Sequence, residues 1–228
     1  MGTFGGPDII QEGLFFAIDA GSTRSYPNPG TGTSVNSLVN STTATLTNGV
    51  GFSSANGGQW DFDGTDDYVD LPIAAIPTGN EITISFWNFG DVRNNSSIIA
   101  GSKDGSEQTL NIHLPWGDGN IYWDCGSPFD RIYKASTSAE TLGWHNWVFT
   151  KNATTGYMYI YLNGVVWHSG SGKTSTIPAM IAPVGLARYN RTPFYYMNGK
   201  IANTLIYNSS LTAAEVLQNY NALKNRFI

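Results

Sequence analysis

The sequence predicts an all-β protein, a two-sheet antiparallel sandwich closed by one C-terminal helix. Three observations carry that reading. Charged residues make up 13% of the 228-residue chain, well below the ~25% usual for globular proteins, while Gly reaches 26 residues. Short apolar or alternating runs recur between clusters of Gly, Asn, Asp and Ser, the punctuation of strands and turns. Only one segment, near the C-terminus, combines a helical spacing with a cap.

The elements follow in order. Residues 1–12 lack periodicity and read as an arm, either a frayed terminus or a docking arm with Phe4, Pro7, Ile9 and Ile10 as its apolar contacts. Gly13–Ala20 is an apolar run suited to a buried strand, and 21–35 is a Gly-, Ser-, Pro- and Asn-rich loop. Leu38–Leu46 alternates weakly. Gln59–Phe62 and Tyr68–Leu71 are strands joined at Asp63-Gly64-Thr65, a turn in which Gly supplies positive φ. Glu81–Phe89 alternates cleanly, with Ile82, Ile84 and Phe86 on one side and Thr83, Ser85 and Trp87 on the other. Ser97–Gly101, Leu110–Leu114 and Asn120–Asp124 follow.

Trp144–Asn152 and Tyr157–Leu162 form the clearest hairpin, and Asn163-Gly164 turns the chain again into Val165–His168. Tyr157, Tyr159 and Tyr161 share a face. A wet sheet face stabilised by cross-strand aromatic pairs is preferred there over a sugar platform. Val184–Ala187 and Lys200–Tyr207 complete the strands. The helix, about 213–225, opens on a capping box of Thr212 and Glu215, and Val216, Leu217, Tyr220 and Leu223 recur on one face. Residues 13–228 read as one domain.

Bulk properties exclude several functions. A net charge of −5, with the 12 Lys and Arg scattered, argues against nucleic-acid binding. The single Cys125 makes neither an internal disulfide nor a zinc site and reads as a packing residue. No apolar stretch approaches the ~18–20 residues of a membrane span, and Met1–Pro7 has neither the basic region nor the apolar run of a secretory signal.

Several motifs, in the right order, resemble a known family. Gly13–Ala20 looks like its opening strand. Leu46-Thr47-Asn48-Gly49 followed by Asp61–Tyr68 is similar to its Phe-Asp-Gly-x-Asp-Asp-Tyr passage. Ile82–Trp87, Trp144–Thr150, Tyr161-Leu162-Asn163-Gly164 and Asn198–Asn208 continue the match. Together they resemble a laminin-G-like, concanavalin A-like jelly roll over most of 13–225, which implies the sandwich fold and leaves the ligand open. The opening Gly6–Leu14, Gly-Pro-Asp-Ile-Ile-Gln-Glu-Gly-Leu, resembles virion proteins of tailed phages, particularly marine and cyanobacterial ones. That resemblance implies a capsid-decoration or fibre protein at the particle surface, with other virion proteins or further copies of itself as partners. The alternative is a stand-alone carbohydrate-binding module for host adsorption.

The chemistry in the residues points to recognition, not catalysis. Retaining glycosidases need two carboxyl groups ~5–5.5 Å apart. Glu12, Glu81, Glu107, Glu140 and Glu215 are isolated, and none begins the Glu-x-Asp-x-x-Glu pattern of related glucanases. No enzyme activity is therefore expected, a glycoside hydrolase being the least favoured of the three readings. Two loops combine aromatic and polar side chains. One contributes Trp116, Tyr122 and Trp123, the other Arg188, Tyr189, Arg191, Phe194 and Tyr195. Sugars stack on such rings while polar groups fix their hydroxyls. Trp, Tyr and Arg equally anchor protein interfaces, so a glycan or a protein partner fits, with partial exposure expected of either. Asp63, Asp66 and Asp67 offer hard oxygen ligands suited to calcium. Capping of their own turn is the preferred reading of these three. Where the resemblance implies an acidic residue after Gly199-Lys200-Ile201, the chain has Ala202 and Asn203. No cofactor is otherwise expected.

Overall fold

Period-2 alternation, read into three dimensions, gives strands with one face for a core and one for something else. The computed structural model describes residues 7–93, 95–105, 108–192 and 194–228. Its strands are β1 (Leu14–Asp19), β2 (Ser34–Asn36), β3 (Thr43–Thr47), β4 (Gly51–Ser53), β5 (Gln59–Asp63), β6 (Tyr68–Leu71), β7 (Glu81–Gly90), β8 (Ser97–Gly101) and β9 (Leu110–His113). They continue with β10 (Asn120–Cys125), β11 (Asp130–Ala135), β12 (Gly143–Asn152), β13 (Tyr157–Leu162), β14 (Val165–Gly170), β15 (Val184–Leu186), β16 (Arg188–Tyr189), β17 (Tyr195–Tyr196) and β18 (Asn198–Tyr207). A single-turn helix α1 (Ser138–Thr141) precedes β12, and α2 (Ala213–Leu223) follows β18.

Two antiparallel sheets face each other. The first runs β14-β13-β12-β7-β18-β5-β4, with β1 also paired to β18, and the second runs β11-β10-β9-β8-β15-β6-β3-β2. Ile82, Ile84 and Phe86 of β7 enter the core between them, with Trp60, Trp123, Trp147 and Phe149. The other face of β7 is buried as well. Trp87 stacks on Tyr220 and Phe227, ring centres 5.7 and 4.3 Å away. The Asn163-Gly164 turn takes φ 51 and 80, the positive pair a two-residue hairpin loop needs.

The capping box forms as expected. The Thr212 amide donates to Glu215 Oε2 at 2.7 Å, and the Glu215 amide donates to Thr212 Oγ1 at 3.4 Å. α2 lies on the outer face of the first sheet, over Ala17, Val148, Tyr161, Leu205 and Tyr207. The expected stripe is corrected at Leu217, which is exposed. The buried face carries Asn219 instead. Asn219 accepts from the Ile10 amide at 2.7 Å and donates to the Tyr207 hydroxyl at 3.0 Å. That hydroxyl in turn donates to the Ile10 carbonyl.

This knot also corrects the N-terminal arm. Ile9 and Ile10 pack against the chain's own helix and first sheet, and the Gln218 side chain holds the Asp8 carbonyl. Pro7 is exposed, and Phe4 lies outside the described residues. The tyrosine row differs too. Tyr157 stacks on Tyr159 and Tyr159 meets Tyr161 at a tilt, and exposure falls from 46% at Tyr157 to 3% at Tyr161, which packs among the buried residues under α2.

Other differences are local. Within 38–46 only Thr43 onward is strand, because Ser37 turns back to Thr42. Asp63-Gly64-Thr65 does not close a hairpin. It carries the chain from β5 in the first sheet to β6 in the second. β2, β4, β11, β16 and β17 have no counterpart among the expected strands. Cys125 is fully buried in the core, where burial pushes its thiol up to about 12. Among the described residues no helix is long and apolar enough to cross a membrane. α2 thus covers one outer face, and the outer face of the second sheet is left to the loops.

Candidate functional site

Strand parity decides what the second sheet shows to its outside. Ile121, Trp123 and Cys125 of β10 point into the core, so Asn120, Tyr122 and Asp124 point out. Tyr122 pairs across with His113 of β9 and with Tyr133 of β11, and Asp124 pairs with Asn111 and Arg131. The outer face of β9–β11 therefore carries His113, Asn111, Tyr122, Asp124, Arg131 and Tyr133.

Two loops fold onto that face. Before β10, the Trp116 amide donates to the Asn120 carbonyl at 2.8 Å, closing a turn. Asp118 Oδ1 accepts from the Asn120 amide, and Oδ2 accepts from the Tyr122 hydroxyl at 2.6 Å. After β15, Ala187 adopts φ 66, a left-handed conformation strained for a residue with a Cβ. It is held there because its amide donates to the Ile98 carbonyl and its carbonyl accepts from the Met197 amide. The kink throws Arg188 and Tyr189 off the sheet into a small ladder, Arg188 opposite Tyr196 and Tyr189 opposite Tyr195.

The result is one aromatic cluster. Trp116 lies 4.9 Å from Tyr195, 5.8 Å from Tyr189 and 4.0 Å from the His113 ring, centre to centre. His113 also meets Tyr122 at 6.1 Å and Tyr189 at 5.4 Å. A cavity of about 230 Å³ lies among Gln108, His113, Trp116, Asp118, Tyr122 and Arg131. A second, of about 280 Å³, adjoins it beside Gln108, Arg188, Tyr189, Asn190 and Arg191.

The electrostatics are set by one buried pair. The Asp124 side chain is wholly buried, and Arg131 grips it with both ends of its fork, Nε to Oδ1 at 2.6 Å and Nη2 to Oδ2 at 2.7 Å. Burial pushes the Asp124 carboxyl above its usual range, and the Arg131 hydrogen bonds pull it only part of the way back. The guanidinium also lies 4.8 Å from the Tyr122 ring centre. Burial, helped by that positive charge, takes His113 down to about 3. The imidazole stays neutral where a free one titrates. In an NMR pH titration His113 ring signals are expected to stay fixed over roughly pH 5–8. A midpoint near the free-imidazole value would contradict its burial. At Asp118, burial opposes ionisation, but the hydrogen bonds from Tyr122 and Asn120 prevail and hold the carboxyl low.

Of the expected site residues, Trp116, Tyr122, Tyr189 and Tyr195 come together, and Arg188 and Arg191 line the adjoining cavity. Arg188 is committed: it lies 3.7 Å over the Tyr68 ring, donates to Asn190 Oδ1 and pairs with Asp70 at 3.5 Å. Phe194 is exposed beside Arg188. Trp123 is corrected: it has no exposure and packs in the core, its Nε1 donating to the Thr150 carbonyl. Sequence reasoning missed Gln108, His113, Asp124 and Arg131. The signal for His113 was its place on the polar phase of β9, between the apolar positions Leu110 and Ile112 and the start of the Trp116 loop.

Asp63, Asp66 and Asp67 do converge, with one carboxylate oxygen from each within 4.8 Å of the others, a donor set suited to calcium. The turn also uses them. Asp63 Oδ1 accepts from the Thr65 and Asp66 amides, which holds its carboxyl low, and Asp67 Oδ2 accepts from the Asp63 amide. Burial raises the Asp67 carboxyl.

Comparison with known proteins agrees with this architecture. Residues 63–217 match the family model described as the concanavalin A-like lectin/glucanases superfamily, of the laminin G type. Among solved structures, domain 4 of an extracellular GH43 arabinanase from Geobacillus stearothermophilus, in complex with arabinotriose, is similar over 91% of this chain and 98% of its own, with 17% identity and a TM-score of 0.70. The receptor-binding domain of a botulinum neurotoxin C/D mosaic serotype is similar over 92% of this chain and 51% of its own, with 14% identity and a TM-score of 0.68. A botulinum neurotoxin serotype D binding domain in complex with N-acetylneuraminic acid gives 13% identity and a TM-score of 0.67 over 92% of this chain and 51% of its own. The chain spans about half the length of these neurotoxin domains. No curated protein matches.

Proposed function

The chain belongs to the concanavalin A-like lectin/glucanases superfamily, and from that premise we propose that it binds a carbohydrate on the outer face of its second sheet and does not cleave it. One observation carries the reading: Trp116, Tyr122, Tyr189 and Tyr195, from two loops far apart in sequence, gather around a neutral, buried His113 beside an open cavity. Rings present apolar faces for sugar CH groups, and Asp118, Gln108 and Arg131 supply polar atoms at the rim. The sugar complexes of two similar domains, with arabinotriose and with N-acetylneuraminic acid, support the same class of ligand.

Binding without hydrolysis follows from the carboxylates. Asp124 has both oxygens engaged by Arg131, so it is a poor nucleophile or base. Asp118 is held ionised, unsuited to protonate a leaving group. The virion setting implied by the Gly6–Leu14 motif suits an adsorption role, since a particle must present such a face outward. That setting rests on the motif alone.

The test is a glycan array followed by Trp116→Ala. The variant is expected to fold normally and to lose about 2 kcal/mol of binding or more, roughly thirtyfold. Unchanged affinity for an array ligand would move the site elsewhere.

A further inference from the structure

The two outer-face cavities meet at a side chain. Gln108 lines both. Its side-chain amide donates to the Tyr189 hydroxyl, and the Tyr189 ring belongs to the aromatic cluster of one cavity while lining the other. Arg131 Nη2 also donates to Gln108 Oε1 at 3.5 Å, so two side-chain hydrogen bonds hold Gln108 between the cavities. Separately, volumes of about 280 and 230 Å³ fall short of the ~300 Å³ at the small end of ligand pockets. Joined, they enter that range.

The strand running beneath carries a second, independent sign. Asn111 and His113 share the outward face of β9. Asn111 pairs with Ala100, a wall of the cavity of about 280 Å³, and His113 lines the one of about 230 Å³. Both are buried, but the Asn111 side chain is engaged with Ser97 and with the Asp124 carboxyl, whereas His113, 4% exposed, has no hydrogen-bond partner at Nδ1. Buried polar atoms are ordinarily paired, and leaving one unpaired costs about 1–3 kcal/mol. Such an atom in the lining of one cavity, where the other adjoins it, suits a ligand hydroxyl.

We propose, building on the glycan-binding reading, that the two cavities are subsites of one groove for an oligosaccharide of two or more units. The ligand crosses β9 where Gln108 meets Tyr189. One unit stacks at Trp116. The next reaches the side formed by Arg188, Asn190 and Arg191. Hydroxyls between them replace the Gln108–Tyr189 contact and pair with His113.

The experiment is calorimetric titration with mono-, di- and trisaccharides of the arabinose, xylose, glucose and galactose series, on the wild type, Trp116→Ala and Ala182→Trp. Ala182 is exposed and lines the cavity of about 280 Å³ but not that at Trp116, so a Trp there blocks the former without entering the core. The wild type is expected to bind the di- or trisaccharide of the preferred series about tenfold or more tightly than the monosaccharide. Ala182→Trp is expected to erase that gain and leave monosaccharide affinity unchanged. Equal affinity for one and three units, or a gain untouched by Ala182→Trp, overturns the groove. If such flat binding still disappears in Trp116→Ala, the glycan reading survives and only the groove falls. Absence of binding across all series removes both.

Discussion

Replacing Arg131 with alanine is expected to destabilise the protein by about 3–5 kcal/mol at neutral pH, because it strands the Asp124 carboxylate without its counter-charge. The Asp124 side chain is fully buried, and its Arg131 partner grips both oxygens at 2.6 and 2.7 Å. The pH dependence has a definite sign. Burial already raises the folded-state Asp124 carboxyl above its unfolded value. The folded protein therefore holds that proton more tightly, and this group's contribution to stability falls as pH rises through the interval between the two values. Without Arg131 the folded value climbs further and the interval widens. The deficit of Arg131→Ala relative to wild type should be largest near pH 7 and shrink near roughly pH 4, as Asp124 takes up its proton. Urea denaturation at both pH values measures this. Adding Asp124→Asn to the variant should restore most of the loss. A deficit of equal size at both pH values, indifferent to the second substitution, would mean that Arg131 acts through packing on Tyr122 and Phe129 instead.

The fold was largely legible because its determinants are local. Clean alternation fixes the two faces of β7. Asn163-Gly164 fixes a hairpin through its own backbone preference, and Thr212 with Glu215 fixes the start of α2. The less legible parts depend on distant partners. β11 offers one buried position, Ile132, and is a strand because β10 pairs along its whole length. Asp63-Gly64-Thr65 looks like a hairpin turn. Its flanking strands find partners in different sheets, so it bridges the sandwich. Ile9 and Ile10 gave no period to read, and their place is set by Asn219 and Tyr207, some two hundred residues away.

The candidate site divides in the same way. Two aromatic loops were visible as composition, and the structure brings Trp116, Tyr122, Tyr189 and Tyr195 into one cluster. What joins them is the strained Ala187, whose conformation no residue preference announces, and the cross-strand register that sets His113 beside Tyr122. Arg131 and Asp124 meet because the β10–β11 hairpin places them opposite each other, a register visible only once the turn between them is known.

Trp123 was legible and is the instructive case. Taken as an aromatic in an aromatic loop, it belongs with Tyr122. Taken by strand parity, it belongs with Ile121 and Cys125, and parity prevails. The expected result of Trp123→Ala follows: a loss of about 3–5 kcal/mol, because removing a fully buried indole opens a cavity beside Phe149. It also leaves the Thr150 carbonyl without that donor. Trp123→Phe, which keeps a ring in place, should lose less. Carbohydrate affinity of the folded fraction should hardly change, since the indole sits on the far side of the sheet from the cluster. Trp116→Ala should behave in the opposite way, with stability kept and affinity lost. The pair forms a crossed comparison, read by denaturation midpoint on one axis and titration on the other. Matching losses of stability and affinity in both variants would mean that the two tryptophans act on one side of the second sheet, and the assignment of its outer face to ligand would have to be abandoned.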